Sequence, residues 1–146
     1  MSKRLKKLEM DNKTVFDVNI WVSYFLKGKF TELVDMIANY NVEFFRAKEL
    51  TEELLSVISR DKFKKYLTLP LERYMSFYEK ISTLIPIQTD FFGCRDPKDN
   101  YLFDLAFQSN SKYLVSGDKD VLETSIDSPL NVVSLTTFKA IITIIN

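Results

Sequence analysis

Short apolar runs alternate along the chain with longer segments whose apolar residues recur at helical spacing. Thr14, Val15 and Phe16 form a β-favouring run that delivers Asp17 to its carboxyl end, and Asn19 then opens an apolar helix over residues 20–26. Beyond Gly28, the spacing of Phe30, Leu33, Val34, Ile37 and Ala38 predicts a second helix that breaks at Asn41, and residues 42–45 read as a second strand. Leu50, Leu54, Val57 and Ile58 predict a helix over 48–59, followed by a short helical turn over 61–68. Pro70 suits the first turn of a longer helix with Leu71, Met75, Tyr78 and Ile81 or Ser82 in register, which Pro86 ends, and residues 85–88 are the candidate third strand. After a loop over 89–95, Asp96-Pro97 starts a helix that carries Leu102, Leu105 and Ala106 inward. Tyr113, Leu114 and Val115 make a fourth strand and residues 131–135 a fifth. Thr136 or Thr137 caps a last helix bearing Phe138, Ile141, Ile142 and Ile145. Strands that alternate with helices predict an α/β fold with a parallel sheet.

Composition sets the scale of this fold. A chain of 146 residues, 46% apolar and 14% aromatic, buries one full core, so a single domain over 13–146 is expected behind a charged arm at residues 1–12. Lys plus Arg and Asp plus Glu are each 20, so attraction to nucleic acid has to come from local patches. Two exist: Lys3, Arg4, Lys6 and Lys7 in the arm, and Arg60, Lys62, Lys64 and Lys65.

Absences restrict the chemistry more sharply. The chain has no histidine, one cysteine (Cys94) and three glycines, which removes Ser-His-Asp and Cys-His nucleophiles, His/Cys zinc sites and glycine-rich phosphate loops together. A lone cysteine fits a reducing compartment, and no run of about 18 apolar residues suggests a membrane span. The expectation is a cytoplasmic protein without a membrane role.

What remains is carboxylate chemistry. Asp17 and Asp118 each follow a strand directly, which in an open α/β sheet places them at the ligand crevice; Asp17 or Asn19 could equally serve as a helix cap. Glu53 flanks the packed face of its helix and either reaches inward or stays solvated, while Asp99 lies only about 20° around its helix from Ala106. If the winding brings these acids together, with no obvious buried cation to neutralise them, the cluster calls for a divalent ion; oxygen ligands suit Mg²⁺ or Mn²⁺. In-line displacement at phosphorus is the reaction that such ions support best.

The segments Val15-Phe-Asp-Val-Asn-Ile-Trp-Val-Ser23, Glu53-Leu54 ahead of Val57-Ile-Ser-Arg-Asp-Lys-Phe63, Cys94-Arg-Asp-Pro-Lys-Asp-Asn100, and Tyr113-Leu-Val-Ser-Gly-Asp-Lys-Asp-Val-Leu122 together resemble the signatures of the PIN-domain family. More narrowly, they resemble the branch that supplies toxin components of bacterial toxin-antitoxin pairs. The resemblance implies a PIN-like three-layer fold, a central parallel sheet of about five strands flanked by helices. It also implies a Mg²⁺- or Mn²⁺-dependent ribonuclease, a cognate antitoxin partner and association into a homodimer or higher homo-oligomer. A catalytically silent scaffold that binds RNA or protein, or a PIN nuclease outside toxin biology, is the alternative.

Carried over by position, Asp17, Glu53, Asp99 and Asp118 match the family's acidic quartet, Asp120 is an auxiliary acid, and Asn19 and Ser116 match polar residues that brace the pocket. Asp96 also matches, although capping accounts for it. Val18 departs from the threonine usual there. Asp17, Asp99, Asp118 and Asp120 are then the expected metal ligands, Glu53 the residue that positions or deprotonates water, and Arg60, Lys62, Lys64, Lys65 and Arg95 the groups that meet the RNA backbone.

Overall fold

A computed structural model describes residues 11–145; the basic arm residues Lys3, Arg4, Lys6 and Lys7, and the side chain of Ile145, lie outside the described residues. The chain runs β1 (Asn12–Phe16), α1 (Val18–Leu26), α2 (Phe30–Tyr40), β2 (Val42–Arg46), α3 (Lys48–Ile58) and a 3₁₀ turn (Asp61–Phe63). It continues with α4 (Leu71–Ile81), β3 (Ser82–Leu84), a second 3₁₀ turn (Pro97–Asp99), α5 (Asn100–Gln108), β4 (Tyr113–Val115), α6 (Lys119–Leu122), β5 (Asn131–Val133) and α7 (Leu135–Ile145). The five strands form one parallel sheet in the order β3-β2-β1-β4-β5. Adjacent residues on β1 and β4, Val15 with Phe16 and Leu114 with Val115, are all fully buried, so both faces of the sheet centre are covered by helices, as the expected α/β architecture requires.

Aromatic side chains fill much of the core. The Phe16 ring meets Phe44 of β2 at 4.6 Å, Trp21 of α1 at 5.5 Å and Phe138 of α7 at 5.6 Å, and Trp21 stands edge-on to Tyr78 of α4 at 5.0 Å. Such edge-to-face geometry aligns a ring's positive rim with its neighbour's negative face. The stripe expected on α4 included Tyr78 but not Tyr74, which is also buried, against Phe25 and Phe30.

Several boundaries correct the sequence expectation. The third strand is residues 82–84 and not 85–88, and α4 ends at Ile81, well before Pro86. The cause lies far away in sequence: the Arg46 guanidinium donates to the carbonyls of Glu79 and Ser82, satisfying the end of α4 and turning the chain onto the edge of β2. One further ladder bond follows, from Ile85 N to the Arg46 carbonyl at 3.0 Å, and Pro86 has no N–H with which to extend it. At α7 the cap is Ser134 rather than Thr136 or Thr137, its Oγ accepting from the Thr137 N–H at 3.2 Å. Helix α1 starts at Val18, one residue before Asn19, and Asp17 is its cap.

From β1 the chain moves outward through β2 to β3, then returns to β4 on the other side of β1. The carboxyl ends of β1 and β4 therefore flank the switch point of the sheet, where the two directions of winding open a crevice.

Candidate active site

Asp17 leaves β1 at that crevice and is 6% exposed. Its Oδ1 accepts from the Val18 N–H at 2.7 Å and its Oδ2 from the Ser116 hydroxyl at 2.7 Å. Ser116, fully buried just beyond β4, accepts in turn from the Asp118 N–H at 3.0 Å. A single hydroxyl thus ties together the acids that follow β1 and β4. Asp118 caps α6 through an Oδ1 that accepts from the Asp120 N–H at 2.9 Å.

The other two acids of the quartet arrive from helices. Asp99 closes the 3₁₀ turn ahead of α5, and the turn is set by Asp96, whose Oδ1 accepts from the Lys98 N–H at 3.1 Å. Glu53 lies on α3, where its Oε2 accepts the Tyr101 hydroxyl proton at 2.5 Å, an aromatic contribution from α5 that no sequence pattern singled out. Glu53 is exposed toward the crevice and anchored at one oxygen, an outcome between the inward and solvated alternatives.

Electrostatics joins the four. Burial pushes the Asp17 carboxyl above its ordinary value; the bonds from Ser116 and Val18 pull it back, and the charges of Glu53 and Asp118 push it up further. Asp99 is raised to about 7, first by burial and then by the charges of Asp17, Asp118, Asp96 and Glu53. Among the described residues no ion pair holds any of the four; Asp120 differs, with Arg95 Nη1 3.6 Å from its Oδ1. Asp120 and Arg95 were expected to act separately, on metal and on RNA, and the structure pairs them. Asn19 lies exposed on the first turn of α1 and makes no hydrogen bond to the acids among the described residues. Arg60, Lys62, Lys64 and Lys65 are exposed beyond the end of α3, and Lys64 pairs with Asp61 at 2.9 Å.

The model of the PIN domain family matches residues 13–120. The chain belongs to the PIN-domain family. An uncharacterized protein of Methanocaldococcus jannaschii is 24% identical over 123 residues, which cover 82% of this chain and 77% of that one. PIN domains are in general nucleases that act on RNA and use divalent metals, so the PIN assignment makes this chain a nuclease-type hydrolase in outline. No helix among the described residues is long and apolar enough to cross a membrane.

The donors that this PIN domain offers at the crevice are all oxygens, which fit a hard divalent ion. Among the described residues no three carboxylates stand close enough to enclose a metal by themselves. Mg²⁺ commonly takes only one or two carboxylates and keeps several waters, so a partly hydrated ion suits this spacing.

Proposed function

We propose that the protein is a Mg²⁺- or Mn²⁺-dependent endoribonuclease that hydrolyses RNA phosphodiester bonds at the β1/β4 crevice. The observation that carries this reading is Asp99, raised to about 7 by its burial and by a ring of acids. Charges crowded without a counter-charge favour either proton or cation uptake, and near neutral pH a divalent ion competes well with protons. When bound, the ion neutralises the crowded carboxylates and stabilises negative charge developing on a phosphate oxygen.

Asp17 and Asp118 would hold it, with Asp99 acting directly or through water. Ser116 fixes the relative placement of the first two through its bonds at 2.7 Å and 3.0 Å. Glu53, with one oxygen occupied by Tyr101 and the other available, orients a water for in-line attack and accepts its proton. Asp120 contributes outside this set, bridged to Arg95, and Arg60, Lys62, Lys64 and Lys65 steer the RNA backbone.

Within this reading the protein is a cytoplasmic toxin restrained by a cognate antitoxin, an assignment supported by the sequence resemblance to the toxin branch. Asp17→Asn is expected to abolish Mn²⁺-dependent RNA cleavage and to relieve growth arrest on expression, with unchanged circular dichroism. Full cleavage by that variant would remove the active-site assignment, and absence of growth arrest with the parent chain would remove the toxin role alone.

A further inference from the structure

The loop between β3 and α5 is tied down along its length, although it has no regular structure over residues 85–94. Asp104, 3% exposed on α5, accepts from the Asp90 N–H at 3.1 Å and the Phe91 N–H at 2.8 Å through one oxygen. Gln108, one turn further along α5, exchanges two hydrogen bonds with the backbone of Gln88, at 2.8 Å and 2.7 Å. Asn100 Oδ1 accepts from the Cys94 N–H at 3.0 Å. Phe91 turns inward and stacks on Phe103 at 4.7 Å. Its ring covers Gly93 so closely that a Cβ there would lie 2.6 Å from it, so any larger residue at 93 would have to displace the Phe91 ring.

This frame holds Phe92 outward, 74% exposed. Single exposed apolar residues are ordinary on protein surfaces. Here the residue is a large flat ring held out by a pinned backbone, which a mobile surface side chain is not. The next three residues, Gly93, Cys94 and Arg95, line a polar groove of about 320 Å³ whose other lining residues are Asp120, Glu123, Thr124 and Ser125. Cys94, which lines the groove, feels the charges of Asp99 and Asp118, so the groove lies beside the crevice. Arg95, whose side chain is 81% exposed, holds Asp120 by a single long contact of 3.6 Å. A loose, solvated pair of this kind exchanges partners easily.

We propose that the 88–95 loop builds a nucleotide subsite beside the acidic crevice, in which Phe92 stacks on an unpaired base while Arg95 leaves Asp120 for the adjoining phosphate. The proposal rests on the nuclease reading and adds to it the element that selects unpaired over paired strands, since a base within a duplex has no free face to offer the ring. Asp120 and Glu123 can accept from the amino edges of a base in the groove, and Arg95 supplies the cation that its phosphate needs. The exposed Arg95 guanidinium, held only by a long contact to Asp120, favours an anionic nucleotide, whereas a protein segment could use the ring and the acids but not this cation.

The test uses the full chain and a labelled single-stranded oligoribonucleotide of mixed sequence, with Ca²⁺ replacing Mn²⁺ for the binding measurements. Phe92→Ala should weaken binding of the single strand by about 5- to 150-fold, the range for loss of one stacked base. It should leave the weaker binding of the matching duplex unchanged and raise KM for cleavage far more than it lowers kcat. Phe92→Trp should retain affinity, and its added emission should be quenched on binding, a stacking signature that a structural role for Phe92 would not give. Cleavage by Phe92→Ala with parental KM, or unquenched emission from Phe92→Trp, overturns the subsite while the nuclease reading stands. Parental RNA affinity together with loss of a stable protein complex in Phe92→Ala reassigns the ring to protein docking and also overturns it. A parent chain that neither binds nor cuts RNA overturns both readings.

Discussion

The charge crowding at Asp99 has a measurable cost in stability when no cation is present. The carboxyl is raised from 3.8 to about 7 in the folded protein, by burial first and by Asp17, Asp118, Asp96 and Glu53 next. The folded state therefore holds its proton more tightly than the unfolded chain does. Below pH 3.8 both states are protonated and Asp99 contributes no difference. Between 3.8 and about 7 the unfolded state binds fewer protons than the folded one, so stability falls as pH rises through that window, and the full penalty applies above it. In a dry site the shift from 3.8 to about 7 would amount to about 4 kcal/mol. Asp99 is only partly buried, and solvent screening reduces this to on the order of 1–2 kcal/mol.

Asp99→Asn removes the titrating group and keeps the side-chain shape. Urea melts in EDTA should give parental stability near pH 4 and a gain on the order of 1–2 kcal/mol at pH 8, which in thermal melts is roughly 3–7 °C in Tm. Saturating Mn²⁺ should stabilise the parent by about 2.7 kcal/mol at 100 times Kd. That gain should be larger at pH 8 than at pH 5, because protons compete for the same oxygens. Parallel pH profiles for parent and variant in EDTA, or an equal Mn²⁺ effect at both pH values, would refute the electrostatic account of the crevice.

Two further outcomes follow from the same geometry. Ser116→Ala deletes the donor to Asp17 Oδ2 and the acceptor for the Asp118 N–H, and should weaken Mn²⁺ binding by about 10- to 100-fold in titration calorimetry, as loss of a ligand-orienting partner does; unchanged affinity would clear Ser116 of that role. Neutralising Arg60, Lys62, Lys64 and Lys65 together should flatten the salt dependence of RNA binding by about 0.7 in log-log slope for each phosphate that these cations neutralise, and an unaltered slope would place the RNA backbone elsewhere.

The parts of the fold legible in sequence are those set by local pattern. Val15-Phe16 and Tyr113-Leu-Val115 are short apolar runs followed at once by polar residues, and they became the two strands that flank the crevice. The third strand was misplaced because Ile85 and Ile87 alternate more convincingly than Ser82-Thr83-Leu84; what decided the matter was Arg46, which caps α4 from 36 residues away. The same limit applies at the crevice. Asp17 and Asp118 could be read from their position after strands, whereas the Tyr101 hydroxyl reaches Glu53 across 48 residues and leaves no local periodicity to detect. Asp104 was hidden for another reason: on an apolar helix an isolated acid reads as solvated, yet here it is buried because two backbone N–H groups of the 88–95 loop need an acceptor.

The crevice divides its acids by how their charge is met. Asp17 is the most buried of the four, and it receives the Val18 N–H, the Ser116 hydroxyl and the positive end of α1, so fixed dipoles of the fold offset part of its desolvation. Asp99 stands at the amino end of α5, but its carboxylate accepts no side-chain capping bond there, and burial and the neighbouring acids all raise its proton affinity. A fold that met all four charges with its own dipoles would have little electrostatic reason to recruit a cation, whereas one that met none would be strained throughout. Here Asp17 is held in place by the backbone and by Ser116, whereas the Asp99 carboxylate has no hydrogen-bond donor among the described residues. In the proposed metal-dependent reading, protons and divalent ions compete for the crevice near pH 7, and the distribution of hydrogen bonds between these two aspartates places that competition at Asp99.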